Sequence, residues 1–156
     1  MASWPSVLIS AELGDLTDDV RRLFNELGEG GGCHAAAGDC LPPLDVLETD
    51  EAIQVLVDLP GVPASAVRVL LKGSVVLIAG EKWAECPGPK AGGYHLVERG
   101  SGRFARAVRL SGAFDGSRVD AALIEGELRI TLPKLGERRG RGVTVPIRQG
   151  PGAPPA

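Results

Sequence analysis

Apolar and polar residues alternate along most of this chain with a period of two. Between Ala52 and Leu59, the residues Ile53, Val55, Val57 and Leu59 fall on one face, as in a half-buried strand. Leu59-Pro60-Gly61-Val62 then reads as a turn. Val67, Val69 and Leu71 alternate through Val67–Lys72, and Gly73-Ser74 turns the chain into an apolar run, Val75–Gly80. Phe104, Arg106, Val108 and Leu110 share a face of Gly102–Leu110. Val119, Ala121 and Leu123 lead into a tight turn at Glu125-Gly126, and Leu128, Ile130 and Leu132 lead out of it. Gly126 supplies the positive φ that such a turn needs, and Pro133 closes the second strand. Leu44–Glu48 reads as a further strand. The pattern predicts an all-β, antiparallel architecture.

One segment keeps a different period. In residues 15–27, Leu16, Val20, Leu23, Phe24 and Leu27 recur at helical spacing. Thr17 or Asp15 is placed to cap this helix, and Asp18 and Asp19 suit the positive end of its dipole. Gly28 and Gly30–Gly32 end it, and residues 28–43 read as a flexible linker. So short a helix is not stable alone in water. Its apolar face must rest on its own domain, on a neighbouring subunit or on a bound protein.

Residues 83–101 form a long polar excursion between two strands, with Pro87-Gly88-Pro89 and Gly92-Gly93 at its base. Within it, Tyr94–Glu98 has the composition of a short strand. A structureless loop of this length is unusual inside a compact domain. Aromatic residues are only 4% of the 156-residue chain, so Val, Leu, Ile and Ala must build the core. The 22 glycines and 12 prolines fall between short apolar runs, as turns do in all-β folds.

Charge and chemistry narrow the function. The net charge of −3 is divided between an acidic front, seven acids against two bases in residues 1–42, and a basic end, five bases against one acid in residues 134–156. Arg138, Arg139 and Arg141 are too few, and lack interleaved aromatics, to indicate nucleic acid. No apolar run approaches the ~18 residues of a membrane span. The start MASWPSVLIS lacks the charged region of a secretory leader, and with an odd number of cysteines the expected compartment is the reducing cytoplasm. Cys33, His34 and Cys40 match no zinc spacing, and a set of four would need distant Cys86 or His95. A disulfide between Cys33 and Cys40 is the other role open to them. His95 has the chemistry of a pH sensor at a subunit interface, but an exposed strand histidine is the favoured reading. No serine sits in a nucleophile elbow, and the GEGGG stretch at residues 28–32 follows a helix and has no phosphate-loop Lys-Ser/Thr. No cofactor, metal site or enzyme activity is expected.

The segment VDAALIEGELRITLPK at Val119–Lys134 resembles the A-x-x-x-n-G-x-L signature of the small heat shock protein (alpha-crystallin) family, with Ala121, Gly126 and Leu128 on the matching positions. Val145-Pro146-Ile147, after a basic stretch, is similar to that family's C-terminal I-x-I/V anchor. The DLPGV wording at residues 58–62 and the amphipathic RLF segment at residues 22–24 resemble bacterial members. Glu125 stands where the family has asparagine, Glu127 where it has an apolar residue, and Leu110-Ser111 where it has Leu-Pro.

The resemblance covers about residues 43–147. It implies an immunoglobulin-like sandwich at residues 43–134, preceded by an arm (1–42) and followed by a tail (135–156). It implies an ATP-independent holdase that binds partly unfolded proteins and works as a dimer built into larger homo-oligomers. Tyr94, His95, Leu96 and Val97 would then add a strand to a partner's sheet, with Arg106 bound by a carbonyl or acid of the partner's loop. Val145 and Ile147 would dock in a groove between Val67, Val69 and Leu71 on one strand and Val119, Ala121 and Leu123 on another. The Leu16/Val20/Leu23/Phe24/Leu27 face would meet clients. The alternative is a CS-domain co-chaperone, an adaptor on the same sandwich, which lacks the long loop and the V-P-I tail.

Overall fold

A computed structural model describes residues 16–28, 40–85, 87, 88 and 92–135. Its elements are α1 (Thr17–Leu27), β1 (Leu44–Glu48), β2 (Ala52–Asp58), β3 (Val67–Lys72), β4 (Val75–Lys82), β5 (Gly102–Arg109), β6 (Asp120–Ile124) and β7 (Glu127–Pro133). The strands form two antiparallel sheets, ordered β1-β2-β7-β6 and β3-β4-β5.

The sheets face each other across one core. Ile53, Val55, Val57 and Leu59 meet Leu128, Ile130 and Leu132 from one sheet, and Val76, Ile78, Phe104 and Val108 from the other. Along β2 and β7 buried positions alternate with partly covered or exposed ones, which is the period-two pattern read from the sequence. The chain is thus an antiparallel β-sandwich of branched aliphatic side chains, as expected.

β4 behaves differently. Every residue from Val76 to Gly80 is buried. Val76 and Ile78 point into the sandwich, while Leu77 and Ala79 point outward and are covered by α1. A strand apolar on both faces is covered on both faces. The unbroken run VVLIAG is the mark of this second packing layer.

The β6–β7 hairpin turns on Glu125 and Gly126, with φ of 51° and 84°. Two successive positive φ values are what a two-residue hairpin turn requires. The Gly126 carbonyl accepts the Leu59 N–H at 2.6 Å. A Cβ at position 126 would lie 3.0 Å from Pro60 Cα, so a side chain there would press on the turn after β2 as well as strain the positive φ.

Two expectations change. The helix starts at Thr17, its N-cap position is Leu16, and no side-chain cap bond is made; Thr17 is therefore inside the helix, and Asp15 lies outside the described residues. Tyr94–Glu98 forms no strand and pairs with none among the described residues.

Candidate interaction surfaces

Edge strands and unfilled apolar faces are where a small sandwich meets other molecules. One such place lies between β3 and β6, edge strands of opposite sheets. Val67 is buried at the start of β3. Val69 and Leu71 are only partly covered and lean on the core, as do Val119 and Leu123 on the β6 side. Ala121 shares their face and is exposed. The turn before β6 brings Gly116 against Leu71, where a Cβ would touch Leu71 Cδ2 at 3.4 Å. Of the six groove residues expected from the sequence, Val67, Val69 and Leu71 lie on β3, Ala121 and Leu123 on β6 and Val119 just before it, and Val69, Leu71, Val119 and Leu123 are the partly covered ones. Val145, Pro146 and Ile147, the expected occupants, lie outside the described residues.

The opposite edge carries β1 and the β4–β5 loop. Of β1, Val46 and Leu47 are exposed, as is Leu41 just before it. In the loop Trp83, Tyr94, Leu96 and Val97 are exposed, Leu96 at 72%. His95 is also exposed. Tyr94 Oη donates to the Glu85 carbonyl at 2.7 Å, tying one side of the loop to the other. Arg106 sits on β5, in register with Ile78. Its guanidinium Nη1 donates to the Pro42 carbonyl at 2.8 Å. Within one chain this arginine therefore already bridges the β5 edge to the lead-in of β1. It retains further N–H groups, because a guanidinium has five.

The third surface is α1 itself. Leu16 and Leu23 are buried, and Val20, Phe24 and Leu27 are partly covered. Leu23, Val20 and Phe24 pack with Leu70, Leu77, Ala79 and Ala107 on the outer face of β3-β4-β5. Leu70, Leu77 and Ala107 are register partners, so they form one row across the three strands. The small alanines let the helix come close. Of the three homes open to this apolar face, the structure shows its own domain. Asp19 pairs with Lys72 at 2.7 Å, and this hydrogen bond, helped by the charges of Lys72 and Arg22, holds its carboxyl below the usual carboxylate range.

Among the described residues no three His, Cys, Asp or Glu side chains converge in a way that would hold a metal. Cys40 leans on the core, and burial pushes its thiol up, so it is a weaker nucleophile than a free cysteine. Cys33, His34 and Cys86 lie outside the described residues. Among the described residues no helix is long and apolar enough to cross a membrane.

The same architecture occurs in known proteins. Heat shock protein 16.0 from Schizosaccharomyces pombe superposes with a TM-score of 0.60 at 30% identity, over 70% of this chain and 100% of that one. A small heat-shock protein from Xylella fastidiosa, whose crystal structure has a distinct high order, superposes at 0.56 with 26% identity, over 74% of this chain and 100% of that one. In sequence, the 21.9 kDa heat shock protein of Oryza sativa subsp. japonica is 34% identical over 169 residues, covering 98% of this chain and 82% of the rice protein. Spore protein SP21 of Stigmatella aurantiaca is 35% identical over 105 residues, 67% of this chain and 62% of that one. The model of the Hsp20/alpha crystallin family matches residues 45–148, from β1 to just past the V-P-I segment. With its sandwich, hairpin turn and half-covered edges, this chain belongs to the Hsp20/alpha crystallin family, the small heat shock chaperones.

Proposed function

We propose that this protein is an ATP-independent holdase, which binds partly unfolded proteins through apolar surface and keeps them from aggregating. The observation that carries the reading is α1. Its apolar face is amphipathic at helical spacing, and residues 28–43 tether it to the sandwich. Burying its two most covered leucines is worth about 3–6 kcal/mol at most. Ordering eleven helical residues costs about 1 kcal/mol each before helix bonds offset it. Burial of these two side chains does not by itself cover the ordering of the helix, so the docked helix is held weakly, and when it leaves its face is free for a client.

Assembly follows from the two edges. Tyr94–Val97 of one chain would add to the exposed β1 edge of another, burying Leu96 and Val97 against Val46 or Leu47, with Arg106 close by. The V-P-I segment would fill the β3/β6 groove of a third chain. Residues 1–42 then act as a client arm, 43–134 as the sandwich and 135–156 as the assembly tail, in the cytoplasm. The CS-domain adaptor reading has no observation on its side, because the long loop it lacks is present here.

The test is light scattering by an aggregating protein, such as insulin after reduction of its disulfides, at equal subunit concentration and without nucleotide. Suppressed scattering, unchanged by added ATP, is the expected result. No suppression of several unrelated clients would sink the reading.

A further inference from the structure

The contact between α1 and the sandwich has a charged lock at each end of its apolar core. At the start of the helix, Asp19 is only 15% exposed and bonds Lys72, the last residue of β3. At the other end, Arg103 near the start of β5 makes three contacts. Its guanidinium carbon lies 5.3 Å from the centre of the Phe24 ring, Nη2 donates to the Gly28 carbonyl at 3.0 Å, and Nε faces Glu81 at 3.8 Å. β3 and β5 are the two edges of the sheet, with β4 between them. The helix thus lies across the sheet, with Leu23 on Leu77 and Ala79 at the middle and one cation holding each end. The two cations also suit the helix differently. Lys72 meets an acid of the first turn, while Arg103 takes a carbonyl just past the last turn, where the partial charge is negative.

We propose that α1 is an autoinhibitory latch: the Asp19–Lys72 pair and the Arg103 contacts hold its client-binding face shut against the outer face of β3-β4-β5, and breaking either end frees the arm. The proposal rests on the reading of α1 as a client surface. Release uncovers two apolar faces together, that of the helix and the Leu70/Leu77/Ala79/Ala107 face of the sheet. The trigger is electrostatic. Apolar contacts hold or strengthen in salt, whereas a partly exposed ion pair weakens. Ionic strength therefore acts on the lock in the opposite sense to its action on the core beneath it.

The experiment uses the full chain and reads two things: amide hydrogen exchange across Val20–Leu27, with the Ile130 amide as a control for the sandwich, and suppression of reduced-insulin scattering. Lys72 is largely exposed, so Lys72→Glu leaves the sandwich folded. Repulsion between the introduced carboxylate and Asp19 should speed exchange in α1 roughly five- to tenfold. The amount of protein needed to halve scattering should fall in step. Arg103→Gln should act the same way from the other end. Asp19→Lys/Lys72→Glu should recover at least part of the protection, held back by the nearby Arg22. Raising salt from about 0.05 M to about 0.5 M should open the wild type and add little to Lys72→Glu. Unchanged exchange in Lys72→Glu, or a charge-swapped chain as open as the single variant, would overturn the latch. Faster exchange with unchanged insulin protection would overturn the client role of α1 while leaving the clamp in place.

Discussion

The ring of Phe104 lies across Gly80, its register partner on the neighbouring strand, so closely that a Cβ on residue 80 would sit 2.5 Å from Phe104 Cζ. The same Cβ would meet the Ala66 carbonyl oxygen at 2.8 Å. One obstacle is a side chain that can shift, the other is backbone that cannot. Gly80→Ala should therefore cost about 1–3 kcal/mol by overpacking, read as a lower midpoint of chemical denaturation. Adding Phe104→Leu to Gly80→Ala should recover only part of the loss, since the carbonyl stays. A neutral Gly80→Ala would mean that β4 and the turn before β3 are more loosely joined than this contact requires.

A second expectation concerns the dimer edge. If Tyr94–Val97 adds a strand to the β1 edge of a neighbour, main-chain bonds supply register and the apolar side chains supply area. Deleting residues 85–97, or placing a charge on the receiving edge with Val46→Lys, should weaken association by roughly a hundredfold. Both should leave the far-ultraviolet circular dichroism of a sandwich. Sedimentation velocity at micromolar concentration separates the outcomes, and a deleted chain that still dimerises would rule out strand exchange.

The tail has a simpler arithmetic. If the V-P-I segment docks in extended form, Val145 and Ile147 point the same way, and Pro146 between them limits the ordering cost. Filling the half-covered groove beside Val69, Leu71, Val119 and Leu123 with two such side chains is worth at most ~3–6 kcal/mol. On that arithmetic one tail alone would exchange, and several on one particle would hold by multivalency. Val145→Ala/Ile147→Ala should reduce large particles to dimers in light-scattering mass measurements. A particle of unchanged mass would move the anchor elsewhere.

Acid should open the α1 contact at a defined place. The Asp19 carboxyl is held below its ordinary range chiefly by its hydrogen bond to Lys72, with Arg22 adding charge. A lowered value in the docked state means that the contribution to docking is complete above the undocked value, about 3.9 for a free aspartate. It is lost as pH falls through the docked value. Exchange in α1, corrected for the intrinsic pH dependence of amides, should stay level from pH 7 to about 5 and rise below about 4. In Lys72→Gln the step should move up towards the ordinary carboxylate range and shrink. A rise already complete at neutral pH would point to a different titrating group.

Much of this molecule is legible along the chain. Period-two runs place the inward faces of β2, β3, β5, β6 and β7, because a pleated strand half covered by a core admits no other arrangement. Glu125-Gly126 marks the hairpin through backbone sterics alone. The helical spacing of Leu16, Val20, Leu23, Phe24 and Leu27 marks an apolar face. What the face rests on is not legible. Hydrophobic burial is non-directional, so an amphipathic helix records that it needs cover but not whose. The cover comes from Leu77 and Ala79, outward residues of a strand whose apolar run does not say which face meets which layer. The lock comes from Lys72, 53 residues along the chain from Asp19, and from Arg103, 75 residues from Gly28. Arg106 likewise reads as an arginine in need of a partner, and only the folding of the β1 lead-in against the β5 edge brings it the Pro42 carbonyl. Local periodicity determined which surfaces exist, and tertiary structure decided which of them meet, because pairings between distant residues are set by the closing of the sandwich.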